Sequence, residues 1–202
     1  LFQDDVLNPN CIEEMVNVLE SNASVALVTC KRKIISQESN RFTEGWIANF
    51  NDLQVNLNLT KNHVTIIKGK DLLKASYFKK KPINIIGEPT GVLFRKEVIE
   101  KIGYFDEKMF QLVDYEFFLR MFKKHNIAFI NEKLVRFRLH ESQASFVNNK
   151  NQTNDKEIYF RLLYKKYFWL LHSNLKWDLL KKYHFSFKLY RNIKRLFGLN
   201  KK

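Results

Sequence analysis

Apolar residues change their spacing several times along this chain, and each change predicts an element. Ile12, Met15, Val16, Val18 and Leu19 recur near helical spacing behind Asn8-Pro9-Asn10, where an asparagine N-cap and an early proline favour a helix start. The pattern predicts an amphipathic helix over roughly 10–21. Ser21-Asn22 ends it, and Ala23-Ser24-Val25-Ala26-Leu27-Val28-Thr29-Cys30 is a short apolar run of the kind buried on both faces of a parallel sheet. Leu1-Phe2-Gln3-Asp4-Asp5-Val6-Leu7 is a strand-like start that runs into paired acids. Strand, acidic turn, helix and strand thus follow in order, and a right-handed βαβ crossover is the common way to join them in one sheet.

Residues 31–65 are polar and weakly periodic, with Trp46, Ile47 and Phe50 marking at most one helix. A strand is predicted at about 64–67 and a helix near 70–77. The basic loop Lys79-Lys80-Lys81-Pro82 precedes Ile83-Asn84-Ile85-Ile86-Gly87-Glu88-Pro89-Thr90-Gly91. The strand Val92-Leu93-Phe94 and a helix from Lys96 to about Ile102 follow, closed by Gly103 as its C-cap. Val113, Phe117, Phe118, Met121 and Phe122 share one face of a helix over 113–125, with Asp114 in its first turn, where a carboxylate suits the helix dipole. Strands at about 127–130 and 133–138 lead to His140. A polar stretch from Asn148 to Asn154 precedes a basic, aromatic-rich segment from Lys156 to Lys202, and no internal repeat is present.

Composition narrows the class. A chain of 202 residues with 45% hydrophobic content can bury a real core, which excludes global disorder. Thirty-five Lys and Arg against 21 Asp and Glu give a net charge of +14 and point to an anionic partner, whether nucleic acid, lipid or a phosphorylated ligand. Cys11 and Cys30 form no CxxC, so neither a disulfide framework nor a zinc site is expected, and a reducing compartment is the natural reading. No apolar run approaches the roughly 18 residues of a membrane span, and no basic n-region with an apolar stretch opens the chain.

Asp4-Asp5 at a strand end has two readings. It is an exposed turn and helix cap, or it lies at the carboxyl end of a sheet strand, where open α/β folds place ligands. There it would hold Mg²⁺ or Mn²⁺ against a diphosphate, since these hard cations take few carboxylates plus phosphate oxygens. Asp114, taken alone, needs no catalytic explanation. His140 and the preceding Arg136 and Arg138 form a basic strand end, its alternating spacing putting an arginine on the side of His140.

The order of these features resembles the family 2 glycosyltransferases, inverting nucleotide-sugar transferases of the GT-A fold. The stretches that carry the resemblance are Leu1 to Pro9, Gly87-Glu88-Pro89-Thr90-Gly91-Val92-Leu93-Phe94-Arg95, Ile102-Gly103-Tyr104-Phe105-Asp106-Glu107, Leu112-Val113-Asp114-Tyr115-Glu116-Phe117-Phe118-Leu119-Arg120 and Arg136-Phe137-Arg138-Leu139-His140. The resemblance covers about residues 1–146. It implies an α/β, Rossmann-like mixed sheet with flanking helices and transfer of a sugar to a glycan or lipid-linked acceptor in cell-envelope polysaccharide synthesis. Asp4 and Asp5 stand for the DxD-type acids that bind the divalent metal, Mn²⁺ or Mg²⁺, and the donor diphosphate. His140 stands for the histidine that completes the metal site, with Arg136 or Arg138 supporting the diphosphate. Asp114 stands for the general base, and Gly87, Glu88 and Gly91 for the loop bordering the acceptor pocket. Two departures stand out: Phe2-Gln3 occupy positions where many members have Asp-x, and Val113 precedes Asp114 where the family has Glu.

The expected organisation is the C-terminal part of a GT-A domain over 1–146, a linker at 147–155 and a basic-aromatic helical tail at 156–202. The opening residues read as a chain cut open mid-domain. The family's nucleotide-binding strands are expected in roughly 80–100 residues upstream. The tail suits an anionic membrane surface or packs its rings on the catalytic domain, and a cytoplasmic protein, peripheral at the inner face of the plasma membrane, is the expectation. The alternatives are a basic nucleic-acid-binding module, which lacks any RRM, KH, zinc-finger or helix-turn-helix pattern, and an inactive fragment keeping only the acceptor half.

Overall fold

A single long strand, β5 (Asn126–Leu139), organises the protein. The computed structural model describes residues 4–36, 40–57, 59, 62–75, 84–140, 143 and 154–196, so Leu1 to Gln3 and the basic loop at Lys79 to Pro82 lie outside the described residues. On one edge β5 runs parallel to β2 (Val25–Ser36), from Val25 opposite Asn126 to Ser36 opposite Leu139. On the other edge it takes two antiparallel neighbours in turn. β3 (Val64–Lys68) pairs with Asn126–Ile130, and the two-residue β1 (Val6–Leu7) pairs with Val135 and Arg136. β4 (Val92–Phe94) lies antiparallel on the far side of β2. The fold is therefore α/β, built on a five-stranded mixed sheet.

Helices cover both faces, which is why the central strand segments Val25–Cys30 and Ile127–Ile130 are buried without alternation. On one face α1 (Cys11–Ser21) lays Cys11, Met15, Val18 and Leu19 against Val28, Ala128 and Ile130. On the other, α3 (Gly69–Lys74) and α5 (Val113–Phe122) bring Leu72, Leu73, Phe117 and Met121 onto Leu27 and Phe129. α2 (Arg41–Phe50) and α4 (Lys96–Ile102) complete the set before β5. Gly103 ends α4 at φ +84°, in the region glycine enters without strain.

Among the described residues, three α-helices follow β5, α6 (Asp155–Leu162), α7 (Ser173–Tyr183) and α8 (Phe185–Leu196), with a π-helical segment Leu163–Tyr167 and a 3₁₀ turn Phe168–Leu170 between the first two. Tyr159, Leu163, Tyr167, Leu171, Leu175 and Leu179 belong to the same buried cluster as Phe117 and Met121. Rings and leucines in the first part of the basic segment thus build the core, while α8 has no buried residue. No described helix is long and apolar enough to cross a membrane.

Three expectations change. β1 and β2 flank β5 on opposite edges and run antiparallel to each other, so α1 does not close a βαβ unit. The Asn8 backbone N–H and side-chain amide donate to the carbonyls of Leu134 and Lys133, at 2.9 and 3.0 Å, and fasten β1 across β5. Asn8 is thereby removed from capping, and α1 starts from Asn10 without a side-chain cap. β2 runs six residues past Cys30, because Lys31 and Lys33 need only their backbone groups to pair with β5. Finally, the two strands expected at 127–130 and 133–138 are one strand with a bulge. The partners of Cys30 and Lys31 are Ile130 and Lys133, leaving Asn131 and Glu132 unpaired with β2.

Candidate functional site

The paired acids meet the far end of β5. Asp5 is buried, its Oδ1 accepting the Arg138 backbone N–H at 3.0 Å and its Oδ2 accepting the Thr90 hydroxyl at 2.7 Å. Asp4 points the other way, its Oδ2 lying 2.6 Å from His140 Nε2. The hydrogen bond to His140 holds the Asp4 carboxyl below its ordinary range, with the His140 and Arg138 charges adding to the effect. Arg138 wraps its Nε back to the Asp4 carbonyl at 3.0 Å. Four of the residues singled out in the sequence, Asp4, Asp5, Arg138 and His140, therefore form one corner. Arg136 is exposed and makes none of these contacts.

Thr90 belongs to the second part of the site, the segment Asn84 to Gly91. Asn84 folds it by accepting the N–H groups of Ile86 and Gly87 on Oδ1, at 3.1 and 2.9 Å, and donating to the Gly87 carbonyl. The turn takes Gly87 to φ +109°, where an L side chain is strained. Thr29 of β2 donates its hydroxyl to the Ile86 carbonyl and pins the turn to the sheet. Glu88 forms an ion pair with Arg32. Arg32 is buried, its guanidinium 5.1 Å from the ring centres of both Trp46 and Phe137. Those rings stack at 5.5 Å, and Arg32 Nη2 donates to the Phe50 carbonyl at 2.6 Å. Burial pulls the guanidinium down to about 10, against the opposing pull of neighbours that include Asp5. Gly87, Glu88 and Gly91 line a cleft of about 240 Å³ together with Lys31, Asp52 and Lys133.

Asp114 is the third part. Its Oδ1 accepts the Tyr115 backbone N–H at 2.8 Å, and burial pushes its carboxyl up to about 6. Among the described residues it makes no hydrogen bond to Asp4 or Asp5. Its neighbour Tyr115, whose hydroxyl burial raises above its ordinary range, lines a small pocket together with Asn84 at the base of the cleft segment. Below α5 a single carboxylate orders its approach. Asp155, 2% exposed, accepts the successive backbone N–H groups of Phe110, Gln111 and Leu112. Three aligned amides around one anion form a strong, directional contact, and they fix where Asp114 enters its helix.

Sequence reasoning did not find Arg32, Thr90, Asn84 or Asp155. Arg32 sits in Lys31-Arg32-Lys33, which reads as a charged run, and its contact with the stacked rings of Trp46 and Phe137 exists only after folding. Asp155 carried a weak signal, since Asn154-Asp155 opens a helix.

A divalent cation fits part of this arrangement. Among the described residues no three His, Cys, Asp or Glu side chains converge as a metal cluster. Asp4 Oδ2 and His140 Nε2 are partly exposed and share a hydrogen bond, so the pair would face Mg²⁺ or Mn²⁺ as two ligands only once the proton between them has left, phosphate and water completing the set. Asp5 faces inward to Thr90 and Arg138.

No family model matches the chain. It is similar to a protein of Rickettsia prowazekii (strain Madrid E) named an uncharacterized glycosyltransferase, at 28% identity over 148 residues that cover 72% of this chain and 40% of that protein. A second similarity, at 39% identity over 51 residues, is to an uncharacterized protein of Mycobacterium tuberculosis (strain CDC 1551 / Oshkosh), covering 25% of this chain and 16% of that protein. The chain thus spans less than half the length of either relative.

Proposed function

We propose that the chain is the acid-bearing part of a GT-A glycosyltransferase that resembles family 2, transferring a sugar from a nucleoside-diphosphate donor to a glycan or lipid-linked acceptor with inversion. The observation that carries this reading is the 2.6 Å contact between Asp4 and His140, 136 positions apart, which Asp5 and Thr90 tie to the segment lining the cleft. The similarity to a protein named as a glycosyltransferase supports it.

Inverting transfer makes a bond from the acceptor oxygen to the anomeric carbon and breaks the bond from that carbon to the diphosphate. The acceptor proton must leave on one side while negative charge builds on the other. Asp4 and His140 would hold the cation, and a bound Mn²⁺ or Mg²⁺ supplies charge neutralisation for the leaving diphosphate. Asp5 keeps Thr90 and the cleft segment in register with β5, so that Glu88 and Gly91 face the acceptor. Asp114 takes the acceptor proton. A carboxyl raised to about 6 is mostly ionised at neutral pH yet closer in basicity to the proton it receives than an ordinary aspartate.

The test, on the protein extended upstream to its natural start, is release of nucleoside diphosphate from a panel of nucleotide sugars, with Mn²⁺ or with chelator. Release that requires metal and is lost in His140→Ala supports the reading. Metal-independent release, or full activity in His140→Ala, counts against it.

A further inference from the structure

Helix α8 presents an apolar stripe that nothing in the described fold covers. Phe185, Leu189, Ile193 and Leu196, spaced by four, four and three, share one helical face, and Phe185 and Leu196 are 72% and 81% exposed. The remaining positions carry Lys188, Arg191, Lys194 and Arg195 and no acid. The helix nonetheless has a fixed seat. Its Phe187 meets Trp177 edge-on at 5.5 Å, and Arg191 donates to the carbonyls of Lys181 and Lys182 at the end of α7. α7 is in turn anchored in the main core by Leu175 and Leu179. Half-exposed Trp177 extends the apolar surface, and Lys176 and Lys181 extend the charge, while Lys182 pairs with Glu157 of α6 at 2.6 Å; Asp178 is the sole acid between Ser173 and Leu196.

Charge and shape together select the occupant. A second copy of the helix pair would set its cations against an identical set. A nucleic acid would answer the charge but leave the stripe in water. An anionic bilayer surface answers both, with rings and aliphatic groups at the acyl boundary and Lys and Arg among headgroups. We infer that α7 and α8 dock the protein on an anionic membrane surface, with α8 lying in the plane of the interface. This inference rests on the helix pair alone and is independent of the reaction proposed above.

The experiment mixes the 202-residue chain with vesicles of phosphatidylcholine, or of phosphatidylcholine with phosphatidylglycerol, and follows sedimentation and tryptophan emission. Binding and a blue shift should occur with the anionic vesicles and weaken as salt is added. Lys188→Glu, Lys194→Glu and Arg195→Glu combined should lower that affinity by roughly a hundredfold or more. Leu189→Glu with Ile193→Glu should abolish the blue shift while circular dichroism stays that of the wild type, since both positions are exposed. Absence of binding to anionic vesicles would overturn the inference, as would binding that survives both sets of substitutions. Lipid-free self-association lost in Leu189→Glu/Ile193→Glu, without vesicle binding, would assign the stripe to a second copy. Salt-sensitive capture of an oligonucleotide in preference to vesicles would assign the cations to nucleic acid.

Discussion

The acid corner and helix α8 are both rich in polar and charged residues, yet they are built in opposite ways. At the corner, hydrogen bonds join residues 85, 133 and 136 positions apart. The polar contacts of α8 with α7 reach back only nine and ten positions. Corner cations are engaged in structure, Arg138 on the Asp4 carbonyl and Arg32 on Glu88 against a stacked pair of rings, whereas Lys188 and Arg195 stand exposed. The net charge of +14 is therefore not a property of the candidate substrate site. Much of it lies in the C-terminal helices, and it speaks about a surface partner more than about a phosphorylated substrate.

If the corner and α5 form a catalytic unit, the largest effect of a single substitution should fall at Asp114. Asp114→Asn is expected to lower transfer by about 10²–10⁴-fold, the usual worth of a positioned base. Nucleoside-diphosphate release checks this, and near-wild-type turnover would remove Asp114 from the chemistry. The wild-type rate should rise with pH through about 6 as the carboxyl ionises, and that limb should vanish in the variant.

Asp155→Ala comes next, because one buried carboxylate satisfies three consecutive amides. Its loss should cost about 2–4 kcal/mol of stability, read as a lower midpoint in urea. By contrast, Leu189→Glu in α8 should change stability by no more than about 0.5 kcal/mol. Equal costs at the two positions would erase the distinction between an integrated and an appended segment.

Asp114 should also reveal itself in stability against pH. Its carboxyl titrates near 3.8 when unfolded and near 6 when folded, so between these values the folded state holds more protons and stability falls as pH rises. The full change is about 3 kcal/mol, and Asp114→Asn should abolish it and be more stable than wild type above pH 6. A flat wild-type profile across this range would mean that burial does not perturb the group.

Much of the core was legible because local pattern and burial agree. The apolar run to Cys30, the α5 face of Phe117, Phe118 and Met121, and the Gly103 cap each reflect a preference that tertiary contacts reinforce. What escaped depends on partners distant in sequence. Nothing near Val6 indicates that its neighbour is Arg136, and nothing near Lys31 says that a polar stretch will extend along β5. The same holds in the site. Asp4, Asp5, Asp114 and His140 stand in short motifs, but Arg32 and Thr90 acquire their places only when Glu88 and Asp5 arrive.

The division of labour between Asp4 and Asp114 is tested most directly by equilibrium titration of a nucleoside-diphosphate sugar, with and without Mn²⁺, against the protein extended upstream to its natural start, as wild type, Asp4→Ala and Asp114→Asn. Asp4→Ala should lose roughly tenfold or more in affinity together with most of its response to Mn²⁺, while Asp114→Asn binds donor as wild type does. Loss of donor affinity in Asp114→Asn, with affinity and metal response intact in Asp4→Ala, would contradict both assignments.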